Sequence, residues 1–329
     1  MSAVCAQCGK SFEPKFEYQL APAPGGIPGP WCSPVCIPVA QELNCSVCGT
    51  VFEPVYAWQA EGGLAFCSEA CREGESKMAQ VLAVMNQKGG TGKTTTAIHV
   101  AAGFAEKGDR VLLIDADAQG NVGASLQVKG PGNLKDLMLD GRSLEELRVE
   151  HSPQLHLLTA DAGLAVIDLH LPGMKGRSRA LQRALEPVKP HYDRIVIDCS
   201  PSLSLLNQNA LCAADGLLIP VSCDYLALVG VRQVMRTIAN VQELLGHPVQ
   251  LIGVVPTLYD HRRRIDRQVR ATLLERFGDK LAPVVRQSVR ITEAPGHGGT
   301  VFDSAPSSRG ADDYRRLVNW LAEGNWRTD

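Results

Sequence analysis

The sequence predicts an α/β fold in which a mostly parallel sheet is covered by helices on both faces, preceded by two small cysteine-rich modules. Three observations support this prediction. Apolar runs alternate with amphipathic segments, a glycine-rich loop follows the first of these runs, and eight of the eleven cysteines lie before residue 72. Such alternation is typical of parallel strands that are connected by helices.

The length and composition are those of an ordinary globular protein with about two domains. The chain has 329 residues, of which 45% are apolar and 21% charged, and a net charge of −2. This charge by itself predicts neither a nucleic-acid binder nor a membrane binder. The N-terminus lacks the basic and apolar segments of a secretory signal, and no apolar run reaches the roughly 18 residues of a membrane span. We therefore expect a cytoplasmic protein.

A cysteine motif occurs twice in the N-terminal part. Cys5-Ala6-Gln7-Cys8-Gly9 recurs forty residues later as Cys45-Ser46-Val47-Cys48-Gly49, and each copy is followed by Phe-Glu-Pro and, further on, by a second cysteine pair. Four thiolates in two close pairs suit tetrahedral Zn²⁺. The expected ligands are Cys5, Cys8, Cys32 and Cys36 in module 1 (residues 1–38), and Cys45, Cys48, Cys67 and Cys71 in module 2 (residues 39–76).

The second pairs resemble the ends of treble-clef zinc fingers, which implies two Zn²⁺ ions per chain. Modules of this size build a poor core, so the metal would supply their folding free energy. Disulfides or an iron–sulfur cluster are the competing interpretations. Residues 1–77 contain four basic and eight acidic side chains, so we expect the modules to dock a protein partner rather than a phosphate backbone. A structural appendage without a partner is the alternative.

A phosphate-binding loop opens the larger domain, residues 78–329. The run Gln87-Lys88-Gly89-Gly90-Thr91-Gly92-Lys93-Thr94 lies between an apolar run and a helical segment. Backbone N–H groups of such a loop hold phosphates, the lysine at its end contacts the β- and γ-phosphates, and the next hydroxyl binds Mg²⁺. The expected nucleotide ligands here are Gly89, Gly90, Thr91, Gly92, Lys93, Thr94 and Thr95.

The strands of this domain are predicted at 81–86, 110–115, 155–159, 194–198, 216–221 and 250–256. Helices are predicted at 203–213, 230–245, 265–277 and 312–323. Asp115 and Asp198 end two of the strands, and Asp117 follows the first of them. Ligand sites lie at the carboxyl ends of parallel strands. We therefore expect Thr94, Asp115 and Asp198 around Mg²⁺, with Asp117 orienting or deprotonating the attacking water.

The motifs of the larger domain resemble those of the ParA branch of the ParA/MinD deviant Walker ATPases. The resemblance covers about three-quarters of the chain, and departures such as Ala118 in place of proline are small. The motifs that carry it are Lys88 to Thr96, Asp115-Ala116-Asp117-Ala118-Gln119-Gly120-Asn121, Asp198-Cys199-Ser200-Pro201-Ser202-Leu203 and Val289-Arg290-Ile291-Thr292-Glu293-Ala294-Pro295.

This resemblance implies an ATPase that forms an ATP-dependent homodimer, in which the signature lysine, here Lys88, crosses to the nucleotide of the partner. It places Asn209 near the shared interface and Pro256 and Tyr259 near the adenine. It also implies stimulation of hydrolysis by a ParB-like or cargo adaptor protein.

An arginine-rich stretch lies within thirty residues and suits non-specific binding of double-stranded DNA, as the resemblance implies. Guanidinium groups on one face neutralise phosphates, which makes affinity dependent on salt. The expected contacts are Arg262, Arg263, Arg264, Arg267, Arg286 and Arg290. The protein would then be associated with the nucleoid.

Two other functional classes remain open. A membrane-positioning ATPase of the MinD type needs a basic amphipathic C-terminal helix, and the tail after Leu317 carries little positive charge. An iron–sulfur scaffold ATPase uses a further C-x-x-C in its ATPase domain, and no such motif follows Cys71. We therefore expect no membrane contact and favour the DNA-positioning class.

Overall fold

The computed structural model describes residues 78–173, 176–202, 204–224 and 249–324, together with six two-residue strands near the N-terminus and positions 235, 239 and 243. The contacts divide the chain into two units, Met1–Met78 and Ala79–Asp329. Only three positions of the predicted helix 230–245 are described, so that helix stays a prediction.

The N-terminal unit repeats one strand pairing. Ala3–Val4 pairs with Ser11–Phe12, and Leu43–Asn44 pairs with Val51–Phe52, both antiparallel and in the same register. A third pair joins Ala60–Glu61 and Leu64–Ala65. The repeated strands thus flank the two C-x-x-C-G motifs of the sequence repeat. The eight cysteines themselves lie outside the described residues, so the two zinc sites and their module boundaries stay predictions.

Seven strands form the sheet of the second unit, and all pairs are parallel except the one between β3 and β4. Their order across the sheet is β7-β6-β1-β5-β2-β4-β3. The strands are β1 (Gln80–Val84), β2 (Val111–Ala116), β3 (Val149–Ser152), β4 (Leu155–Leu158), β5 (Arg194–Cys199), β6 (Gly216–Ser222) and β7 (Gln250–Thr257).

The six predicted strands are confirmed, because their apolar runs are buried between two helical layers. Val81 and Ala83 belong to the core on one face of the sheet, whereas Leu82 and Val84 belong to the core on the other. Strand β3 was not predicted. This strand lies at the edge of the sheet and is only half buried. Its sequence, Val-Glu-His-Ser, therefore contains no apolar run by which it could have been predicted.

Eleven α-helices are described in the second unit, and short 3₁₀ turns join several of them. The helices are α1 (Lys93–Glu106), α2 (Asn121–Leu126), α3 (Leu134–Met138), α4 (Leu144–Leu147), α5 (Ile167–His170), α6 (Ala180–Leu185), α7 (Leu205–Ala213), α8 (Arg264–Phe277), α9 (Val289–Glu293), α10 (Val301–Ser304) and α11 (Arg309–Glu323). No helix among the described residues is long and apolar enough to cross a membrane.

Three of the predicted helices are confirmed, and serine caps set two of their starts. The Ser204 hydroxyl accepts a hydrogen bond from Asn207 N at the start of α7. The Ser308 hydroxyl does the same for Ala311 N at the start of α11, three residues before the predicted beginning. Such caps satisfy backbone N–H groups that have no partner within the helix.

The final helix α11 packs against α1 and the sheet. Its buried residues Tyr314, Leu317 and Leu321 share one core cluster with Phe104 of α1. The indole of Trp320 lies directly over Gly253 in β7, where an added Cβ would come within 2.7 Å of the ring. Glycine at 253 is therefore required by this close approach.

His99 joins α1 to α10 through a fully buried ring. Its Nδ1 lies 2.7 Å from Thr95 O, and its Nε2 accepts a hydrogen bond of 3.0 Å from Val301 N. The ring also stacks on Tyr314, with centroids 4.4 Å apart. Because Nε2 accepts from a backbone N–H, the proton of the neutral ring lies on Nδ1. Burial lowers the pKa of His99 to about 4.

This lowered pKa predicts that the contribution of His99 to the stability of the fold is lost in acid. The unfolded chain binds a proton at His99 below pH 6.5, whereas the folded chain resists protonation until about pH 4. Stability from this residue is therefore complete above pH 6.5 and falls by about 3 kcal/mol as the pH drops to 4. Denaturant titrations from pH 7.5 to 4 would measure it, with His99→Gln as the non-titrating comparison. Equal losses for both proteins would contradict the assignment.

Candidate nucleotide-binding site

The glycine-rich loop leaves an open space above the first turn of α1. Gly90 and Gly92 have positive φ angles of 72° and 79°, a conformation that glycine adopts without strain. A Cβ at Gly90 would meet no atom within 4 Å. Helix α1 has no side-chain cap at Gly92 and no acidic residue in its first turn. Its first N–H groups can therefore bind an anion.

Lys93 lies at the start of α1 and points back into the loop. Its Nζ donates to Lys88 O at 3.2 Å. Burial lowers the pKa of Lys93, while the nearby carboxylates of Asp198 and Asp117 oppose the change. The Thr257 hydroxyl, at the end of β7, donates to Thr91 O at 2.8 Å. The loop is thus held from the neighbouring strand, and its lysine is already placed among the acidic residues.

Asp115 and Asp198 lie side by side at the ends of adjacent strands. The register pairs Asp198 with Asp115 on one side and with Val84, which ends β1, on the other. The Asp115 carboxylate accepts hydrogen bonds from Asp117 N and Val122 N, both at 3.0 Å. Burial raises the pKa of Asp115 to about 7.

Asp198, unlike Asp115, accepts no hydrogen bond from a backbone N–H group among the described residues. It is 1% exposed, and no donor among the described residues meets its oxygens at a well-formed hydrogen-bond geometry, although the Thr94 hydroxyl lies near enough to favour the ionised form. Burial, and then the charge of Asp115, raise the pKa of Asp198 well above its usual value, whereas the Thr94 hydroxyl and Lys93 act in the opposite direction. Burying a carboxylate with so little hydrogen bonding costs folding free energy unless a cation compensates its charge.

These residues fit a magnesium ion. Mg²⁺ is usually held by one or two carboxylates together with phosphates and waters, rather than by a complete protein cage. Thr94 and Asp198 have the donor chemistry for it. Asp115 lies beside them, but its two oxygens already accept backbone N–H groups.

Lys88 forms an ion pair with a residue of the same chain. Its Nζ contacts Asp224 Oδ2, which also accepts a hydrogen bond of 2.8 Å from the Ser222 hydroxyl. Backbone N of Lys88 donates to Asn86 Oδ1 at 3.0 Å. Asp224 was not predicted as a site residue. It lies two residues after the end of β6, so the rule on the carboxyl ends of parallel strands would have identified it.

The other predicted nucleotide contacts lie at different depths. Asp117 is half buried and accepts a hydrogen bond of 3.1 Å from Gln119 N. Asn209 is buried, and its amide accepts from Leu181 N at 3.2 Å and donates to Leu205 O at 3.0 Å. Pro256 is buried in β7, and the partly buried Tyr259 follows that strand. The roles assigned to these four residues stay predictions.

Two of the predicted DNA contacts are anchored by fully buried carboxylates. Arg263 pairs with Asp266 at 2.8 Å. Arg286 donates to both oxygens of Asp313, at 2.8 and 2.7 Å. Both aspartates are 0% exposed, so each needs its arginine as charge compensation.

The remaining predicted arginines are exposed. Arg262 pairs with Asp260 at 2.8 Å, and Arg290 pairs with Glu293 at 3.1 Å, both at the surface. Arg267 donates to His261 O at 2.7 Å, and Arg264 is exposed. Surface ion pairs are weak, so the guanidinium groups of Arg262 and Arg290 can exchange their carboxylate partners for a ligand's phosphates at little cost in free energy.

The profile of a family described as AAA domain matches residues 79–251. The chain is 38% identical over 250 residues to the sporulation initiation inhibitor protein Soj of Bacillus subtilis, covering 74% of this chain and 99% of that protein. It is 38% identical over 246 residues to the chromosome partitioning protein ParA of Caulobacter vibrioides, covering 73% of this chain and 92% of that protein. It is 42% identical over 238 residues to the chromosome-partitioning ATPase Soj of Thermus thermophilus, covering 72% of this chain and 93% of that protein.

Solved structures share the same fold. One is cobyrinic acid a,c-diamide synthase from Mycobacterium smegmatis with bound ADP and magnesium, which is 35% identical, with a TM-score of 0.65 over 74% of this chain and 94% of that one. Another is apo McdA from Cyanothece, with a TM-score of 0.67 over 74% and 99% of the two chains. At 22% identity, the second likeness concerns the fold alone.

The buried Asp198 carboxylate should lower the stability of the protein without nucleotide and should be needed for the binding of Mg²⁺ with ATP. Burial disfavours the ionised form of Asp198, whereas the amide of Asp198→Asn has no ionised form, so the protein without nucleotide should gain about 1 kcal/mol and melt roughly 3 °C higher. The same variant should lose the rise in melting temperature that Mg²⁺ with ATP gives the unaltered protein. Asp279→Asn, at an exposed turn, is the control. A lower melting temperature, or undiminished stabilisation by Mg²⁺ with ATP, would contradict the prediction.

Proposed function

The chain belongs to the ParA/Soj family of P-loop ATPases, and on this premise we propose that it is an ATP-driven partitioning protein that positions a cargo on DNA. The observation that carries the proposal is one site in which the phosphate loop, a second lysine and two adjacent strand-end carboxylates come together. The similarity to two chromosome partitioning proteins, over 92% and 93% of their lengths, supports the same conclusion.

The chain's own residues provide binding and orientation for ATP hydrolysis. The backbone of the loop and the N-terminus of α1 hold the phosphates, and Lys93 contacts the β- and γ-phosphates. Thr94 and Asp198 would hold Mg²⁺, which neutralises phosphate charge when it is bound. Asp117 lies close enough to Lys93 to influence its charge, a position suited to orienting the attacking water.

The proposed dimerisation depends on Lys88, which lies at the rim of the loop. Its side chain is 29% exposed and that of its partner Asp224 is 46% exposed, so this ion pair is partly screened and can be released. ATP in a facing subunit would offer the ammonium group a stronger, multiply charged partner. ATP occupancy and dimer formation are then linked by one cation that changes its partner.

DNA binding is assigned to the exposed arginines around the start of α8 and in α9. Arg262, Arg264, Arg267 and Arg290 can neutralise phosphates without exposing a buried charge. No base-reading motif accompanies them, so the contacts would be to the backbone and largely independent of sequence. The protein would act in the cytoplasm on the nucleoid and would leave the DNA after hydrolysis.

The cysteine modules complete the proposal as a docking element. The repeated strand pairing in the N-terminal unit supports two copies of one module, and their acidic balance favours a protein partner. An adaptor that binds there, or a ParB-like protein at the ATPase domain, would stimulate hydrolysis. Zinc, two ions per chain, remains the proposed structural metal of these modules.

Removal of the second lysine tests the proposed dimer. Lys88→Ala should weaken ATP-dependent dimerisation about a hundredfold, because a buried intersubunit charge contact is lost, while nucleotide still binds the monomer. Sedimentation with a non-hydrolysable ATP analogue would measure the effect, and the exposed Lys129→Ala serves as the control. A Lys88→Ala protein that dimerises as the unaltered chain does would refute the assignment.

The two classes of arginine predict separable effects. Arg290→Glu should abolish DNA retention at physiological salt and flatten its salt dependence, with an unchanged melting temperature. Arg286→Ala should lower stability by about 2 kcal/mol, because the buried Asp313 loses its two-pronged guanidinium partner and, among the described residues, keeps only Arg316 and the backbone N–H of residue 286. Fluorescence anisotropy with labelled duplex at several salt concentrations, paired with thermal melting, measures both effects.

Arg276→Glu, at the far end of α8, is the matched control for charge reversal. If it impairs DNA binding as strongly as Arg290→Glu does, then net charge alone explains the loss. DNA binding by Arg290→Glu at the level of the unaltered protein would dismiss the proposed surface.

A further inference from the structure

A strained turn lies between β7 and helix α8, beside the residue of β7 that contacts the phosphate loop. Leu258 has a φ of +53°, and Gln127 is the other non-glycine residue with positive φ among the described residues. Such a conformation costs an ordinary side chain about 1 kcal/mol or more and persists only when its surroundings hold it. The preceding residue, Thr257, is the one whose hydroxyl donates to Thr91 O. The strained residue is therefore adjacent to the residue that contacts the phosphate loop.

Arg263 holds this turn from the other side. Its Nη2 donates to Leu258 O at 3.2 Å and to Asp266 Oδ2 at 2.8 Å. The same Asp266 oxygen accepts from Asp260 N at 2.7 Å. One guanidinium group thus joins the carbonyl of the strained residue to a fully buried carboxylate in the first turn of α8.

The neighbouring arginines do not share this arrangement. Arg262 pairs with Asp260 at the surface, and Arg267 donates to the carbonyls of His261 and Arg262. Within the described residues, Arg263 is the arginine whose side chain donates to the carbonyl of Leu258, next to the residue that contacts the phosphate loop. This difference separates it from a general phosphate-neutralising role.

We infer that Arg263 is a positioning residue for the nucleotide pocket, acting through the Leu258 turn, rather than one more contact to DNA. By fixing Leu258 O it supports the placement of Thr257 against the phosphate loop. Together with the backbone bonds of Pro256 and Tyr259 to Val285, it also supports the wall against which the base of the proposed nucleotide would lie. This inference rests on the proposed function, because that function places ATP in the pocket. It also means that movement of the pocket wall reaches Asp266 in the first turn of α8 through the Arg263 side chain, beside the bond that Asp260 N makes to the same carboxylate.

The test separates nucleotide binding from DNA binding. Arg263→Ala, measured without DNA, should bind a fluorescent ATP analogue about tenfold more weakly, since one positioning hydrogen bond is lost. The preference for ATP over GTP should fall as well, because the wall against the base is no longer fixed. Arg264→Ala, at the adjacent exposed position, should keep both properties and lose only affinity for DNA.

Arg263→Lys addresses the case in which the alanine variant does not fold. Lysine keeps the positive charge beside Asp266 but cannot span both acceptors with one planar group, so it should fold, bind the analogue several-fold more weakly and show the reduced ATP preference. Unchanged nucleotide affinity and base preference in the soluble Arg263 variant, with a DNA defect equal to that of Arg264→Ala, would overturn the inference. Failure of the unaltered protein to bind ATP would instead refute the proposed function.

Discussion

The parallel, in-register pairing of β5 with β1 and β2 is the constraint on which the site depends. It places Asp198 beside Asp115 and next to the end of the strand that leads into the phosphate loop. Side chains alternate between the two faces of a strand, so a slip of one residue would turn Asp198 towards the opposite helical layer. Apolar residues on both faces resist such a slip, because it would exchange the members of two separate cores. The catalytic geometry is thus fixed by hydrophobic packing well away from the chemistry.

Most of the fold and the local parts of the site could be predicted from the sequence. Strands buried on both faces appear as uninterrupted apolar runs, and the phosphate loop is a contiguous motif. Strand β3 could not be predicted, because half-exposed edge residues leave no such run. The pairing of Lys88 with Asp224 spans 136 positions, so it depends on the order of the strands in the sheet. The orientation of Asn209 between two helices has the same origin.

The arginine-rich region shows why charge patterns alone do not assign roles. Arg263 with Asp266 and Arg290 with Glu293 are both pairs at i and i+3. In the first pair the acid is 0% exposed, and in the second it is 50% exposed. Equal spacing therefore describes a structural anchor in one case and a releasable surface contact in the other. The burial of the acidic partner, which is set by tertiary packing, decides between them.

The contact of Trp320 with Gly253 gives the molecule an intrinsic optical reporter. Indole emission shifts in wavelength and intensity when the packing and polarity around the ring change, and here the ring rests on the backbone of β7. That strand continues directly to Thr257 and the phosphate loop. A displacement of the strand on ligand entry would therefore alter the fluorescence of a residue in the C-terminal helix, so occupancy of the pocket could be followed in real time without an attached dye.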